Sequence, residues 1–485
     1  MPKSVAIFGP PGTGKSTRLI RIVEDLLANQ KYNLMPQQIA LVSFTKAAAE
    51  EMRDRVGQPI HCSTVHSLCF SRLGLTRSQV IDRGTLIEFG KSIGLDISWG
   101  NMQDEASEMT EGDEYVTLYD LARNTLTDPQ EIFSQHGKLG TAKTFKYFHE
   151  SYENYKESYG LTDFVDMLAN ACHVEPITHR VLIIDEAQDL SPLQWQVIDY
   201  WGQSVQLIYQ AGDDDQSIFA WGGADPQGMS KFVDRTDSKQ VILDQSYRVP
   251  RAVHVLAEAI ITPVQDRVEK VYQPQEREGT VTRHGGMHTV PNQLDFMNEE
   301  VLLIYRNHSL RDDIEDYLMQ QCLPFHVDNG KPGPLQNRYA NAVLNWQRLS
   351  IGQNIAGSAK VALEKLITKR AAGLMKEGQA AKLNWRDAIN QHWFKYQMYF
   401  EAMETQHDDT ILNLFNSTQF HLSTIHGSKG READNVVLIN GMGALTAEGY
   451  SQDADNERRV FYVGVTRAKH NLHIVMGENP VEFLL

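Results

Sequence analysis

The stretch Gly9-Pro10-Pro11-Gly12-Thr13-Gly14-Lys15-Ser16 decides the fold of the first part of this chain. It follows a short apolar run, residues 5–8, and precedes a helical pattern that extends from Ser16 to about Ala28. In this context of strand, loop and helix, the pattern G-x-x-x-x-G-K-[ST] predicts a phosphate-binding loop. The glycines let backbone N–H groups turn toward a polyphosphate, and the helix N-terminus adds its positive dipole end. A glycine turn without a ligand is the alternative, and the context disfavours it.

This loop is expected to bind a nucleoside triphosphate together with Mg²⁺. Lys15 is predicted to reach the β- and γ-phosphates, and the Ser16 hydroxyl is predicted to bind Mg²⁺. The nucleotide-binding residues predicted from this segment are Gly9, Pro10, Pro11, Gly12, Thr13, Gly14, Lys15, Ser16 and Thr17.

Length and composition limit the class of protein. At 485 residues the chain is longer than one ordinary domain, and no apolar run is long enough to predict a membrane span. The N-terminus leads directly into a strand, so no signal peptide is expected. The four cysteines form no CxxC pair, which argues against zinc, iron–sulfur and disulfide frameworks and favours a reduced cytosol. The net charge of −16 argues against a protein that binds nucleic acid through a generally basic surface. It does not exclude a single nucleic-acid channel with local positive potential.

A second apolar run, residues 181–184, ends in Asp185 and Glu186. This pattern predicts a buried strand that delivers two carboxylates at its carboxyl end, where ligands bind in open α/β sheets. Beside a phosphate-binding loop, Asp185 is the expected Mg²⁺ partner, and Glu186 is placed to orient or deprotonate a water. A solvated pair at a helix N-terminus is the alternative.

The next predicted strand, residues 205–209, leads into a loop that contains Gln216 and Trp221. A glutamine in such a loop can contact a γ-phosphate. A tryptophan nearby can stack on a base, which contributes about 1–3 kcal/mol per base. Ordinary packing is the alternative for Trp221.

The alternation of strands and helices is interrupted twice. From about Cys69 to Glu157 helical, polar and aromatic segments replace it, and we interpret this part as a helical insertion. A second α/β rhythm begins beyond about Pro263, and a second helical, polar stretch extends from about Pro332 to Asn416. The pattern predicts two α/β domains, each with a mainly helical insertion.

Several segments together resemble the successive motifs of the UvrD/Rep/PcrA-like superfamily 1A DNA helicases. Shorter resemblances lie at residues 44–52, 64–67 and 161–168. The longer segments, in chain order, are D-E-A-Q-D at 185–189, G-D-x-D-Q-S-I-x-x-W-x-G-A-D at 212–225, Q-x-Y-R at 245–248, T-I-H-G-S-K-G-x-E at 424–432 and V-G-V-T-R-A at 463–468.

The resemblance implies an α/β fold with two RecA-like P-loop NTPase domains, built from parallel sheets with flanking helices. The first domain, 1A, is assigned to residues 1–68 and 161–262, with insertion 1B at 69–160. The second domain, 2A, is assigned to 263–331 and 417–485, with insertion 2B at 332–416.

The resemblance also implies roles for individual residues. Gln216 is expected to sense the γ-phosphate, and Arg248 and Arg467 to neutralise charge on the transferring phosphoryl group. Tyr247 is expected to stack on the nucleotide base and Glu432 to contact the ribose. The residues expected along the DNA path are Phe44, Thr45, Thr64, His66 and Trp221. For the two arginines a surface salt bridge is the alternative, and for His66 a purely structural role.

The implied activity is ATP hydrolysis that drives 3′ to 5′ movement on single-stranded DNA and unwinding of duplex, with ATP and Mg²⁺ as cofactors. The implied partners are single-stranded DNA, junctions with duplex and replication or repair proteins, for a monomer or a DNA-dependent oligomer in the cytoplasm of a bacterium or a virus-infected cell. A translocase that strips bound proteins without processive unwinding is an alternative, as is a helicase that acts on RNA or 5′ to 3′.

Two departures from the family pattern affect these expectations. Only eight residues precede Gly9, which leaves no room for the family's adenine-reading glutamine motif. We therefore expect weaker base discrimination, which depends mostly on Tyr247. Insertion 2B is short for the family, so its role in duplex contacts stays open.

Overall fold

The computed structural model describes residues 3–98, 109–290, 294–327, 331–390, 394–452 and 454–485. Its contacts divide the chain into two compact units. The first unit comprises Met1–Gly279 and Ala444–Thr466, and the second comprises Thr280–Gly443 and Arg467–Leu485. Within the described ranges, no helix has the length and apolar character needed to cross a membrane.

The first unit is built on a six-stranded sheet with the order β3-β2-β4-β5-β1-β6, in which neighbouring strands are parallel. The strands are β1 (Lys3–Phe8), β2 (Ile39–Ser43), β3 (His61–Thr64), β4 (Val181–Ile184), β5 (Leu207–Gly212) and β6 (Lys239–Ile242). The helices that flank the sheet are α1 (Lys15–Ala28), α2 (Lys46–Val56), α3 (Val65–Arg72), α8 (Phe164–Ala171), α9 (Pro192–Gly202), α10 (Gly228–Thr236) and α11 (Arg251–Ile261).

Alternation along the strands explains why helices cover both faces of this sheet. Successive side chains of a strand point to opposite faces. In β4, Leu182 and Ile184 pack into one buried apolar cluster, whereas Val181 and Ile183 pack into another. A strand that is apolar at every position therefore needs cover on both sides, as parallel sheets generally do.

A helical insertion between β3 and β4 has its own aromatic core. Its helices are α4 (Arg83–Ser92), α5 (Glu111–Thr125), α6 (Pro129–His136) and α7 (Ala142–Tyr159). Phe89, Tyr115 and Phe148 are buried together in this core. The acidic residues at the start of α8 hold the insertion, since Asp163 pairs with Arg123 of α5 at 2.7 Å and with Lys156 of α7 at 3.0 Å.

The second unit is built on a seven-stranded sheet with the order β10-β9-β11-β8-β12-β13-β7. The β9–β10 pair is antiparallel and the other pairs are parallel. The strands are β7 (Thr280–His284), β8 (Val301–Tyr305), β9 (His326–Val327), β10 (Lys331–Pro332), β11 (Phe420–Thr424), β12 (Ala433–Asn440) and β13 (Ala468–Met476).

Helices fill the part of the second unit between β8 and β11. They are α12 (Arg311–Gln320), α13 (Arg338–Ser350), α14 (Gly357–Glu364), α15 (Lys369–Lys376), α16 (Trp385–Ala388), α17 (Phe394–His407) and α18 (Ile411–Ser417). Trp346 of α13 and Phe400 of α17 share one apolar core with Leu303 of β8. The prediction of two α/β domains with parallel sheets and mainly helical insertions is confirmed.

The last two helices, α19 (Ala444–Gln452) and α20 (Ala454–Val465), group with the first unit, although the sequence assigned them to the second domain. The α20 helix packs against α11, and Arg458 donates a hydrogen bond from Nη1 to the Ile260 carbonyl at 3.1 Å. Asp455 accepts a hydrogen bond from the Gln265 backbone at 2.8 Å. These contacts, which the sequence pattern does not show, explain the grouping.

Candidate nucleotide and nucleic-acid site

The predicted phosphate loop lies between β1 and α1, at the carboxyl end of β1. The Gly9 backbone donates to Gly212 at the end of β5 at 3.0 Å, and the Lys15 ammonium donates to the Gly9 carbonyl at 2.7 Å. Gly12 and Gly14 have φ angles of 72° and 80°, in the left-handed region that favours glycine. The loop thus curves so that Lys15, at the first position of α1, folds back over it.

Ser16 and Asp185 form the predicted cation site. The Ser16 hydroxyl donates to Asp185 Oδ2 at 3.3 Å, and Asp185 is buried at the end of β4. Burial and the neighbouring Glu186 carboxylate raise the pKa of Asp185 to about 7. A hydroxyl and a carboxylate are oxygen donors of the kind that Mg²⁺ takes beside substrate phosphates, so the two residues fit this ion. Among the described residues no group of three or more His, Cys, Asp or Glu could hold a metal by itself.

Gln188 joins the loop after β4 to the loop after β5. Its amide donates to Glu186 Oε2 at 2.6 Å, and its Oε1 accepts a hydrogen bond from the Asp213 backbone at 3.0 Å. Glu186 has a φ of 52°, which is uncommon for a residue with a side chain. The motif D-E-A-Q-D contains Gln188 but does not indicate this connecting role, because the role depends on a partner 25 positions away.

Gln216 lies in the loop after β5, in a short 3₁₀ helix at Asp214–Gln216. Its Nε2 donates to Asp213 Oδ2 at 2.6 Å, and both residues are buried. Because β4, β5 and β1 are adjacent in the sheet, the loops that carry Asp185, Gln216 and Lys15 meet at one edge. This edge is where open α/β sheets bind ligands.

The segment that carries Tyr247 and Arg248 is attached to the phosphate loop. The Tyr247 backbone donates to the Gly12 carbonyl at 2.9 Å, and the Ser246 hydroxyl donates to the Pro11 carbonyl at 2.7 Å. The backbone of Gly12 lies so close to Arg248 that a methyl group there would collide with it. The Tyr247 side chain is 75% exposed, which leaves its ring free to stack on a base. Ser246 received no role in the sequence analysis, although it is buried and makes this attachment.

Arg467 and Glu432 belong to the second unit. Arg467 is buried at the start of the segment that continues into β13, and its Nη1 donates to the Arg431 carbonyl at 3.3 Å. Of the six predicted catalytic residues, the structure therefore places Lys15, Asp185, Glu186, Gln216 and Arg248 in the first unit.

An aromatic cluster lies beside the loop that carries Gln216. The rings of Phe44 and Phe219 stack with centroids 4.9 Å apart, and Trp221 meets Phe219 edge-on at 6.2 Å. Trp221 is 40% exposed, so the cluster offers aromatic surface to a ligand. Phe219 is not among the residues predicted from the sequence, although an aromatic residue two positions before Trp221 is a signal for such a cluster.

The other predicted DNA-path residues already have structural partners. Thr45 caps α2 and Thr64 caps α3, since their hydroxyls accept backbone N–H groups at 3.1 Å. His66 meets the half-exposed Phe164 edge-on at 5.9 Å, and burial lowers the pKa of His66 to about 4. His66 is therefore neutral near pH 7 and offers no positive charge to a phosphate. The proposed DNA contacts of these three residues stay predictions.

Comparison with known families places two helicase domain models on the chain. The UvrD/REP helicase N-terminal domain matches residues 2–237, and the UvrD-like helicase C-terminal domain matches residues 402–479. The two matches include the phosphate loop, the carboxylates after β4, Gln216 and Arg467.

Several proteins named as ATP-dependent DNA helicases align over most of the chain. ATP-dependent DNA helicase UvrD2 of Mycobacterium bovis is 24% identical over an alignment that covers 96% of this chain and 76% of that protein. ATP-dependent DNA helicase Rep of Escherichia coli is 25% identical over 67% of this chain and 53% of its own length. ATP-dependent DNA helicase PcrA of Leuconostoc citreum is 22% identical over 67% of this chain and 48% of its own length. The chain thus aligns with about half of Rep and of PcrA.

Proposed function

The chain belongs to the UvrD-like helicase family, and on this basis we propose that it hydrolyses ATP to move 3′ to 5′ on single-stranded DNA and to unwind duplex. The observation that supports this most directly is that one loop, residues 213–223, carries both Gln216 of the nucleotide site and the aromatic pair Phe219 and Trp221. Gln216 and the base-stacking rings are only a few residues apart in this loop. A movement of Gln216 can therefore shift the base-stacking surface.

The residues of the first unit have separate roles in the proposed hydrolysis. Lys15 binds the β- and γ-phosphates, and Glu186 orients the attacking water or accepts its proton. Gln216 contacts the γ-phosphate, and Arg248 neutralises charge on the transferring group. Ser16 and Asp185 would hold Mg²⁺, which would neutralise negative charge on the phosphates.

The remaining site residues have proposed roles in binding. Tyr247 presents an exposed ring on which the base stacks, and its backbone bond to Gly12 keeps that ring beside the phosphate loop. Glu432 is proposed to contact the ribose, and Arg467 to neutralise charge on the transferring phosphoryl group.

The proposed DNA path begins at the cluster of Phe44, Phe219 and Trp221. Base stacking on aromatic rings tolerates any sequence, as a translocating motor requires, and contributes about 1–3 kcal/mol per base. Thr45, Thr64 and His66 lie at or just after the carboxyl ends of β2 and β3, and we propose that they line the same path. The acidic net charge of −16 does not oppose this, because stacking needs no general basic surface.

An ATPase assay with and without single-stranded DNA tests the motor. We expect DNA to stimulate hydrolysis and Lys15→Ala to abolish it. Hydrolysis that ignores DNA, or that survives Lys15→Ala, would show that the chain is not such a motor.

Unwinding of duplexes with a 3′ or a 5′ single-stranded tail tests direction. We expect unwinding to need the 3′ tail. A preference for the 5′ tail would contradict the proposed polarity, and movement along single strands without strand separation would favour a translocase.

A further inference from the structure

Three consecutive aspartates in the loop after β5 surround one buried lysine. Lys270 Nζ lies 2.5 Å from Asp214 Oδ1, 3.0 Å from Asp215 Oδ2 and 3.3 Å from Asp213 Oδ1. It also donates to the Val268 carbonyl at 3.1 Å. The lysine and the three aspartates are all buried, so the ammonium is shielded from bulk solvent.

A second cation completes this ion cluster, which consists of Asp213, Asp214, Asp215, Arg267 and Lys270. Arg267 forms a two-pronged pair with Asp215, with N···O distances of 2.7 and 2.5 Å. Burial alone would lower the pKa of Lys270, but the three carboxylates hold it above its usual value, so the lysine stays charged. A buried charge set of this kind is weak evidence for stability, because desolvation opposes the attraction between the charges. Its position next to the nucleotide site points to another role.

The cluster is connected to Gln216 through Asp213. One carboxylate oxygen of Asp213 accepts the Gln216 amide at 2.6 Å, while the other faces Lys270. The Asp213 backbone is held separately by Gln188 at 3.0 Å. Asp213 Oδ1 also accepts the Asp215 backbone N–H at 3.3 Å, so the direction of the carboxylate is set jointly by this bond and by the Lys270 ammonium.

We propose that Lys270 is a positioning residue for ATP hydrolysis, which holds the Asp213 carboxylate so that Asp213 fixes the carboxamide of Gln216. The proposal rests on the proposed function, in which Gln216 contacts the γ-phosphate. Lys270 itself touches no nucleotide. It acts on the geometry of the loop, although it lies 54 residues after Gln216 in the sequence.

The test uses a charge-balanced variant, Lys270→Met with Asp214→Asn. Removing one positive and one negative charge keeps the net charge of the cluster, whereas Lys270→Met alone would leave an uncompensated buried carboxylate. We expect kcat for DNA-stimulated ATP hydrolysis to fall about tenfold or more, with KM for ATP changed by less than about threefold, because the loss concerns the reacting end of the nucleotide.

The decisive comparison repeats this variant in a Gln216→Ala background. If Lys270 acts through Gln216, the two effects on kcat do not add, and the charge-balanced change causes no further loss once Gln216 is absent. Lys270→Arg, which keeps a cation for Asp213, should retain most of the wild-type kcat. Asp213→Asn, which nearly keeps the shape of the side chain, is a second variant that should show the same non-additivity.

Arg235→Gln with Asp199→Asn is the matched control. It removes another ion pair of the first unit, between α9 and α10 at 2.8 Å, and should leave kcat unchanged in both backgrounds. A full, additive loss of kcat in the Gln216→Ala background, or no loss in the wild-type background, would overturn the proposed role of Lys270. Either result would leave the proposed function of the chain intact. A wild-type protein without DNA-stimulated ATPase would overturn the proposed function and this inference together.

Discussion

Replacement of Gly12 by alanine tests the attachment of the Ser246–Arg248 segment to the phosphate loop. Gly12 has a φ of 72°, and a methyl group built on it collides with the Arg248 side chain and lies 2.9 Å from the Ser246 hydroxyl. The left-handed conformation costs an alanine about 1–2 kcal/mol. Relief of the collision requires the segment to move away, which breaks the bonds of Ser246 to Pro11 and of Tyr247 to Gly12, at about 1 kcal/mol each.

We therefore expect Gly12→Ala to lower the free energy of unfolding of the first unit by about 3–4 kcal/mol, the sum of the conformational cost and the two lost bonds. The matched control is Gly57→Ala at the end of α2, where φ is 61° and no atom lies within 4 Å of the added methyl group. That variant should show only the conformational cost of about 1–2 kcal/mol.

Denaturant unfolding without nucleotide, together with ATPase kinetics, measures both effects. Gly12→Ala should also lose ATPase activity, since Tyr247 and Arg248 move with the segment, and Gly57→Ala should not. Equal destabilisation by the two variants would refute the reasoning, because it would show that the contact between Gly12 and Arg248 contributes nothing.

Three further perturbations test other parts of the structure. Phe219→Ala removes the central ring of the aromatic cluster and should weaken single-stranded DNA binding by about 1–2 kcal/mol in fluorescence anisotropy, while Phe219→Tyr should bind normally. Burial, with His284 nearby, lowers the pKa of His473 from 6.5 to about 4, so the unfolded state binds more protons between these values. Stability of the second unit should therefore fall as pH drops from 6.5 toward 4, by about 2–3 kcal/mol in denaturant titrations, and His473→Leu should flatten this dependence. Asp163→Asn leaves Arg123 with fewer partners in a buried network and should destabilise the insertion by about 3 kcal/mol in thermal or chemical unfolding. A change within experimental error would show that the network adds no stability.

Most of the candidate nucleotide site could be predicted because its residues lie in local patterns. Lys15 and Ser16 follow directly from the loop between a strand and a helix, and Asp185 follows from an apolar run that ends in acids. In each case the backbone next to the residue determines where the side chain goes. The fold class followed from the same repeated pattern, since a buried parallel strand must be apolar on both faces.

The residues that the sequence analysis left without a role are those whose partners are distant in the chain. Gln188 bonds Asp213 across 25 positions, Lys270 bonds Asp214 across 56 and Ser246 bonds Pro11 across 235. No periodicity or short motif encodes such pairs. The grouping of α20 with the first unit has the same cause, because its partners lie in α11.

The sequence alone predicted a phosphate-binding loop in an α/β domain, and it determined the α/β fold class and the resemblance to the UvrD-like helicases. Local physical requirements suffice for this, since glycine conformations, apolar runs and helix starts are properties of neighbouring residues. Only the tertiary structure decided how the loops join at the sheet edge. It connected Gln216 through Asp213 to the buried ion cluster that contains Lys270, and it placed Phe219 between Phe44 and Trp221. These placements depend on the order of strands in the sheet, which packing of the whole unit determines.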